Sequence, residues 1–229
     1  MTRTAVTILV LCVAATSVPA ASSLSSATRE HAAAGPVLSL AAAAPKNRAA
    51  AEAEAPSLPL RGRVFLTAEQ VRDAYASGLV IAPVKSILKI DAPMSYGDFV
   101  WNEKGVPPGR VWIRVDLKSQ ILSVFRAGHE IGTAVILYGT DGLPTPTGKF
   151  PILAKMKDHR SVTYGDAPMP YTLRLTNDGV SIHGSNVRWG FATHGCVGVP
   201  RDFAARMFDV VSRGDEVLIV SGKAAAPEG

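Results

Sequence analysis

The sequence predicts a mainly β domain with one or two short helices, preceded by a secretory leader and a flexible tether. Three observations carry this. Val111, Ile113, Val115 and Leu117 alternate with Trp112, Arg114 and Asp116, the period-two pattern of a strand with one apolar face. Several more short β-rich runs follow, each bounded by Gly, Pro, Asn or Asp. Helical signals with start and stop residues occur at only two places.

The N-terminus reads as an export signal. Arg3 supplies the positive start, Ala5 to Ala15 form an apolar run too short to span a bilayer, and Val18-Pro19-Ala20 offers small residues for cleavage. Residues 1–20 are thus expected to be removed, and the product exported to the periplasm or cell wall. Cys12 follows Leu11 inside the apolar run, which disfavours a lipid-modified cysteine. Residues 21–60, rich in Ala, Ser and Pro, read as a linker. No later segment is apolar enough to cross a membrane.

A short helix is expected after Thr67, which can cap it. Gln70 completes a capping box, Val71 and Tyr75 lie four apart on one face, and Gly78 is the stop. Val84–Ile90 is strand-like, and Pro- and Gly-rich loops surround Trp101. Residues 61–110 read as an N-terminal helix and strap, and residues 111–221 as the main domain. Within that domain Val111–Leu117 turns at Lys118-Ser119-Gln120 into Ile121–Arg126, and Ile131–Tyr138 makes a third strand. The loop Gly139–Gly148 is packed with turn residues. Lys149–Met156 is expected as one strand, at an edge or bulge because of Pro151. Strands near Tyr171–Leu175 and Gly179–His183 follow. Pro200 opens a late helix whose buried stripe is Phe203, Ala204, Met207, Phe208 and Val211, with Gly214 as its end. Glu216–Val220 is a last strand, and residues 222–229 a tail.

Composition excludes several functions. The chain has 229 residues, 47% hydrophobic and 19% charged, enough for one domain with extras and too apolar for wholesale disorder. The net charge of +5 is scattered, without the Lys/Arg cluster that nucleic acid requires. Two cysteines rule out a disulfide-stapled scaffold and a Cys-rich zinc site. After leader removal only Cys196 remains.

Residues 181–200 read SIHGSNVRWGFATHGCVGVP and concentrate the chemistry. A thiol is a poor nucleophile at neutral pH unless a nearby imidazole takes its proton. His183 closes a strand, a rigid place for a base. Thr193-His194-Gly195-Cys196 forms a loop expected just before the late helix. Gly195 lets backbone N–H groups turn toward a developing oxyanion without blocking a substrate. Bland readings stand beside this: an inert buried thiol, a structural histidine, or His183, His194 and Cys196 as three metal ligands. His31 in the linker and His129 in a hairpin turn are expected at the surface, and His159 receives no role.

The segment resembles the signature of the L,D-transpeptidase catalytic domain (the YkuD-like family): a first His-Gly, a spacer, then Ser/Thr-His-Gly-Cys. IRVDLKSQILSVF resembles the family's opening hairpin, ILYGTDGLPTPTGKFPI its glycine and Thr-Pro-Thr-Gly segment, and MPYTLRL with SIHG its substrate-side strands. The resemblance spans roughly residues 111–221. Two departures are visible. The spacer from His183 to Cys196 is short, and Gly198 stands where the family often has Arg, leaving Arg174 and Arg188 as candidates for that arginine's role.

The resemblance implies an L,D-transpeptidase-like β-sandwich that acts on peptidoglycan stem peptides. Cys196 would attack the carbonyl of the third stem residue, expel the terminal D-alanine and hold the stem as a thioester. An amine from another stem, a wall-attached protein or a D-amino acid would resolve it. His183 would shuttle the protons. Backbone N–H groups of His194, Gly195 and Cys196 would form the oxyanion hole, and the Gly184 carbonyl would orient the His183 ring. Tyr138, Met169 and Tyr171 would line the donor groove. No cofactor or metal is expected, and no nucleic-acid partner. A cysteine hydrolase of the same fold, acting as carboxypeptidase or endopeptidase, remains the competing reading, and a non-catalytic wall-binding module a third. A papain-like protease is disfavoured because there the Cys precedes the His.

Overall fold

Strand β1 (Arg63–Phe65) opens the chain's ordered elements and is followed by α1 (Ala68–Ala76), β2 (Ser86–Leu88) and β3 (Phe99–Trp101). The hairpin-connected strands β4 (Val111–Asp116), β5 (Ile121–Arg126) and β6 (His129–Val135) come next. Then follow β7 (Gly148–Pro151), β8 (Ala154–Arg160), β9 (Pro168–Arg174), β10 (Ser181–Ser185), β11 (Val197–Pro200), α2 (Arg201–Val210) and β12 (Glu216–Val220). This computed structural model describes residues 60–163 and 165–221. The expected leader, the linker up to residue 59, His31 and the tail lie outside the described residues.

The strands form two sheets. One has eight strands in the order β1-β2-β6-β5-β4-β12-β7, with β3 also paired to β6. The other has four, β11-β10-β9-β8. Reciprocal backbone hydrogen bonds between Leu137 and Gly198, 2.8 and 2.9 Å, join them. Ile113, Val115, Leu122, Val124 and Ile131 of the large sheet share one core with Leu173, Ile182, Val197 and Val199 of the small one and with Phe203, Ala204 and Met207 of α2.

The β4 alternation buries both faces rather than one. Trp112 stacks on Phe125 with centroids 4.3 Å apart, in a second cluster with Ala74, Val80, Ile81, Leu218 and Val220. The segment that contains α1 covers that face. In α1 the capping box is present: Thr67 N–H donates to Gln70 Oε1 (2.9 Å), and Gln70 N–H to Thr67 Oγ1 (3.2 Å). Ala74, not Tyr75, is its buried residue; Tyr75 is exposed.

Residues 61–110 are built into the sheet through β1, β2 and β3. Arg63 reaches the carbonyls of Glu130 and Asn102, and the Phe99 and Trp101 rings meet Phe203 edge-on at 5.7 and 5.4 Å.

Three expectations are corrected. Lys149–Met156 is two strands in different sheets. β7 pairs with β12 and ends at Pro151, and β8 begins at Ala154 and pairs with β9. The apolar run looks continuous because both strands border the same core. His129 is buried in β6, where its Nδ1 lies 2.8 Å from Ser86 Oγ; a partner 43 residues upstream draws it inside. Finally, β11 stands between Cys196 and α2, so the α2 N-terminus does not directly follow the nucleophile loop. Four extended residues set it roughly 13 Å further along the chain, beyond the first-turn reach of a helix dipole.

Candidate active site

The small sheet's register sets β10, which carries His183, beside β11, which Cys196 precedes. β10 and β11 run parallel, with Ile182 opposite Val197 and His183 opposite Gly198. Cys196 immediately precedes β11, on the Ser181 side of that pairing. Its Sγ lies 3.9 Å from the Gly179 carbonyl oxygen, and Ser181 Oγ donates to the same carbonyl at 2.9 Å. Ile182, Leu173 and Val197 point from the opposite side of these strands into the shared core. Strand pleat therefore separates the apolar row that anchors the sheet from the row that carries the chemistry.

The His183 ring is held in one tautomer. Its Nδ1 lies 3.1 Å from the Gly184 carbonyl oxygen. A carbonyl only accepts, so Nδ1 carries the proton and Nε2 presents its lone pair. Gly184 is itself tightly placed: a Cβ there would stand 3.2 Å from the Pro170 carbonyl oxygen and 3.4 Å from the Ala204 Cβ.

Burial sets the protonation states. It lowers the His183 pKa below the usual imidazole value; the Gly184 hydrogen bond partly offsets this, and the His159 charge adds a smaller push downward. Burial also raises the Cys196 thiol, against a smaller lowering by the Ser181 backbone. At neutral pH Cys196 is then a thiol and His183 a neutral imidazole.

The nucleophile loop is pinned from the other side. Thr193 N–H donates to the Tyr138 carbonyl at 3.0 Å. The Thr193 hydroxyl donates to the Cys196 carbonyl. Thr145 Oγ1 lies 3.5 Å from that same oxygen and accepts from Gly139 N–H at 2.9 Å. The Gly139–Gly148 loop thus clasps the loop of Cys196. Thr145 and Thr193 escape a reading of the sequence alone, though both lie inside its motif segments. Gly195 has φ +103, a conformation that suits glycine. His194 is exposed.

The other expected lining residues are dispersed. Tyr138 is half-buried and borders an open cavity of about 310 Å³ with Gly139, Thr140, Asp141, Phe191 and Ala192. Met169 pairs with His159 across β9 and β8. Tyr171 adopts φ +58 and packs edge-on against Phe208 of α2 at 5.8 Å. A second groove, about 520 Å³, runs past Gly184, Ser185, Pro170, Phe99 and Arg201. Arg188 Nε donates to Asn186 Oδ1 at 3.0 Å. Gly198 is crowded: a Cβ there would stand 3.0 Å from the Ser185 Cβ. Among the described residues no three His, Cys, Asp or Glu side chains are grouped to hold a metal, and no helix is long and apolar enough to cross a membrane.

The sequence model of the YkuD family, described as the L,D-transpeptidase catalytic domain, matches residues 110–219. Solved structures similar to this chain include an L,D-transpeptidase from Mycobacterium smegmatis, 25% identical with TM-score 0.45, over 49% of this chain and 59% of that one. An L,D-transpeptidase from Stackebrandtia nassauensis is 24% identical with TM-score 0.46, over 51% and 58%. Mycobacterium tuberculosis L,D-transpeptidase 1 is 28% identical with TM-score 0.41, over 48% and 61%. The chain thus spans less than two thirds of the length of these relatives. No curated protein matches the sequence.

Proposed function

We propose, from the match of residues 110–219 to the YkuD model of L,D-transpeptidase catalytic domains, that this protein is an exported peptidoglycan L,D-transpeptidase working through a thioester on Cys196. The observation that carries the reading is the His183 tautomer. The Gly184 carbonyl occupies Nδ1, so Nε2 is the free base on the strand beside the thiol.

The steps follow from that arrangement. The donor carbonyl enters beside Cys196, with its oxygen toward the Gly195 and Cys196 N–H groups. As Sγ forms its bond to the carbonyl carbon, the thiol proton passes to His183 Nε2. The oxyanion collapses, the C–N bond breaks, and His183 returns the proton to the departing amine. The acceptor amine then attacks the thioester, gives its proton to His183, and releases the thiolate, which is reprotonated. Because the resting pair is neutral, proton transfer accompanies attack rather than preceding it.

Amine and water compete for the same thioester, and the product decides between transpeptidase and hydrolase. The purified protein is incubated with disaccharide tetrapeptides, and the products are read by mass spectrometry. Cross-linked dimers that have lost one D-alanine support transfer. Tripeptides alone would make it a carboxypeptidase, and unchanged substrate would remove the peptidoglycan reading.

A further inference from the structure

The chain that leaves β6 meets the start of β11 in a ladder that stops short. Leu137 and Gly198 exchange both backbone bonds, at 2.8 and 2.9 Å, and so form a hydrogen-bonded antiparallel pair. In an unbroken ladder the next such pair lies two residues on, Gly139 with Cys196. That pair is not made: the Leu137–Gly198 bridge is isolated, and Gly139 is bridged to Thr193 instead.

The Thr145 hydroxyl stands where the missing bond would run. Gly139 N–H donates to Thr145 Oγ1 at 2.9 Å, and Thr145 Oγ1 lies 3.5 Å from the Cys196 carbonyl oxygen. Thr145 is buried, and a hydroxyl that accepts one N–H still has its own proton to give. Among the described residues the Cys196 carbonyl is the acceptor that this proton reaches. Thr193 supplies that carbonyl with a second hydroxyl, but from three residues away on the same loop, so it shapes the loop without fixing where the loop stands. Backbone bonds fix the loop at Thr193, through Tyr138, and at Gly198, through Leu137. Between those two points Thr145 reaches the nucleophile residue itself.

We propose that the Thr145 hydroxyl is the positioning group of the nucleophile. It bridges Gly139 N–H to the Cys196 carbonyl and holds the ladder open there. The Cys196 N–H, which a closed ladder would give to the Gly139 carbonyl, is thereby turned toward the acyl oxygen. This rests on the reading of Cys196 as the acylated thiol. Loss of the hydroxyl leaves a buried N–H without its acceptor and frees the Cys196 peptide to shift.

Substitutions at Thr145 separate the hydroxyl from its packing: Thr145→Ser keeps the hydroxyl without the methyl, Thr145→Val keeps methyls without the hydroxyl, and Thr145→Ala has neither. Acylation by p-nitrophenyl acetate is followed in a single turnover by nitrophenolate release, with Cys196→Ala as the blank. Sγ bonds to the acetyl carbon, the ester C–O bond breaks, and the thiol proton leaves through His183. The ester contains no peptidoglycan, so the outcome does not depend on the natural donor. Thr145→Ser should keep its rate within about threefold of the parent, while Thr145→Val and Thr145→Ala fall about 10- to 100-fold, the scale of a small misplacement at a reacting centre. Rates that sort by the methyl instead, with Thr145→Val near the parent and Thr145→Ser as slow as Thr145→Ala, would overturn the proposal. So would equal rates in Thr145→Ser and Thr145→Ala, a comparison that stands whether or not Thr145→Val folds. If the parent is acylated no faster than Cys196→Ala, the thiol reading falls and the role of Thr145 with it. Rates that sort by the hydroxyl in a protein that leaves disaccharide tetrapeptides unchanged would uphold Thr145 and remove only the peptidoglycan reading.

Discussion

The Cα of Gly195 lies 2.9 Å from the point that a Cβ would occupy on Gly139. The two loops that build the site therefore touch backbone to backbone. The same Cβ would stand 2.0 Å from the Leu143 carbonyl oxygen, a contact with no flexible end to yield.

Gly139→Ala should accordingly push the Thr-Pro-Thr-Gly loop off the nucleophile loop. We expect a loss of about 1–3 kcal/mol in urea denaturation, typical of overpacking, and slower acylation of Cys196. A variant with wild-type stability and acylation rate would show that the clasp does not position the thiol.

Cys196→Ala should abolish turnover and leave the fold intact, because Cys196 is the one thiol among the described residues. His183→Ala should slow single-turnover acylation by about 10²–10⁴, the usual cost of a lost general base. His194→Ala should cost less, since its side chain is exposed and only its backbone is needed. Circular dichroism checks each fold. Should well-folded His194→Ala prove the more damaging variant and abolish the pH step, the shuttle is His194.

The pH profile of acylation follows from the neutral resting pair. His183 titrates below the usual imidazole pKa of about 6.5. The rate should rise as His183 deprotonates, with its inflection below that value, and then stay level through neutral pH. Burial keeps Cys196 a thiol up to alkaline pH, so iodoacetamide should alkylate His183→Ala only slowly at pH 7. Fast alkylation there would mean a preformed thiolate.

Acid should also weaken the fold through histidine. His129 is lowered mainly by burial, then by Lys85 and Arg63, and His183 is lowered as well. The unfolded chain then binds protons first as pH falls below about 6.5. Their contribution is complete above that pH and is lost as pH drops toward the depressed folded values. Melting temperatures at pH 7.5 and 5.5 should fall less in His129→Gln than in the parent; an equal fall would exclude His129 as a source.

Arg63→Ala should loosen the strap. Arg63 holds the Glu130 and Asn102 carbonyls and offsets the buried Glu130 carboxyl, which also accepts from Leu88 N–H at 2.7 Å. Removal should cost about 1–3 kcal/mol, with β1 opening first under limited proteolysis. Unchanged stability would mean that the strap is held by its apolar contacts alone.

Local features are legible in the chain without its fold. Thr67 and Gln70 sit three apart and close the α1 cap without outside help. The apolar stripe Phe203, Ala204 and Met207 marks α2 because helical periodicity needs only neighbours in the chain. The His183, His194, Gly195 and Cys196 pattern is legible because all four residues lie within one short segment. Features that depend on distant closure become visible only in three dimensions. Strand periodicity states that a face is buried but not against which sheet, so residues 149–156 look like one strand and are two. The turn at Gly128 says nothing of Ser86, whose hydroxyl draws His129 inside. Cys196 comes to the Ser181 side of β10 only once β10 and β11 pair in register. Register is set by long-range burial of Leu173, Ile182 and Val197, and no pattern within one strand can specify its neighbour.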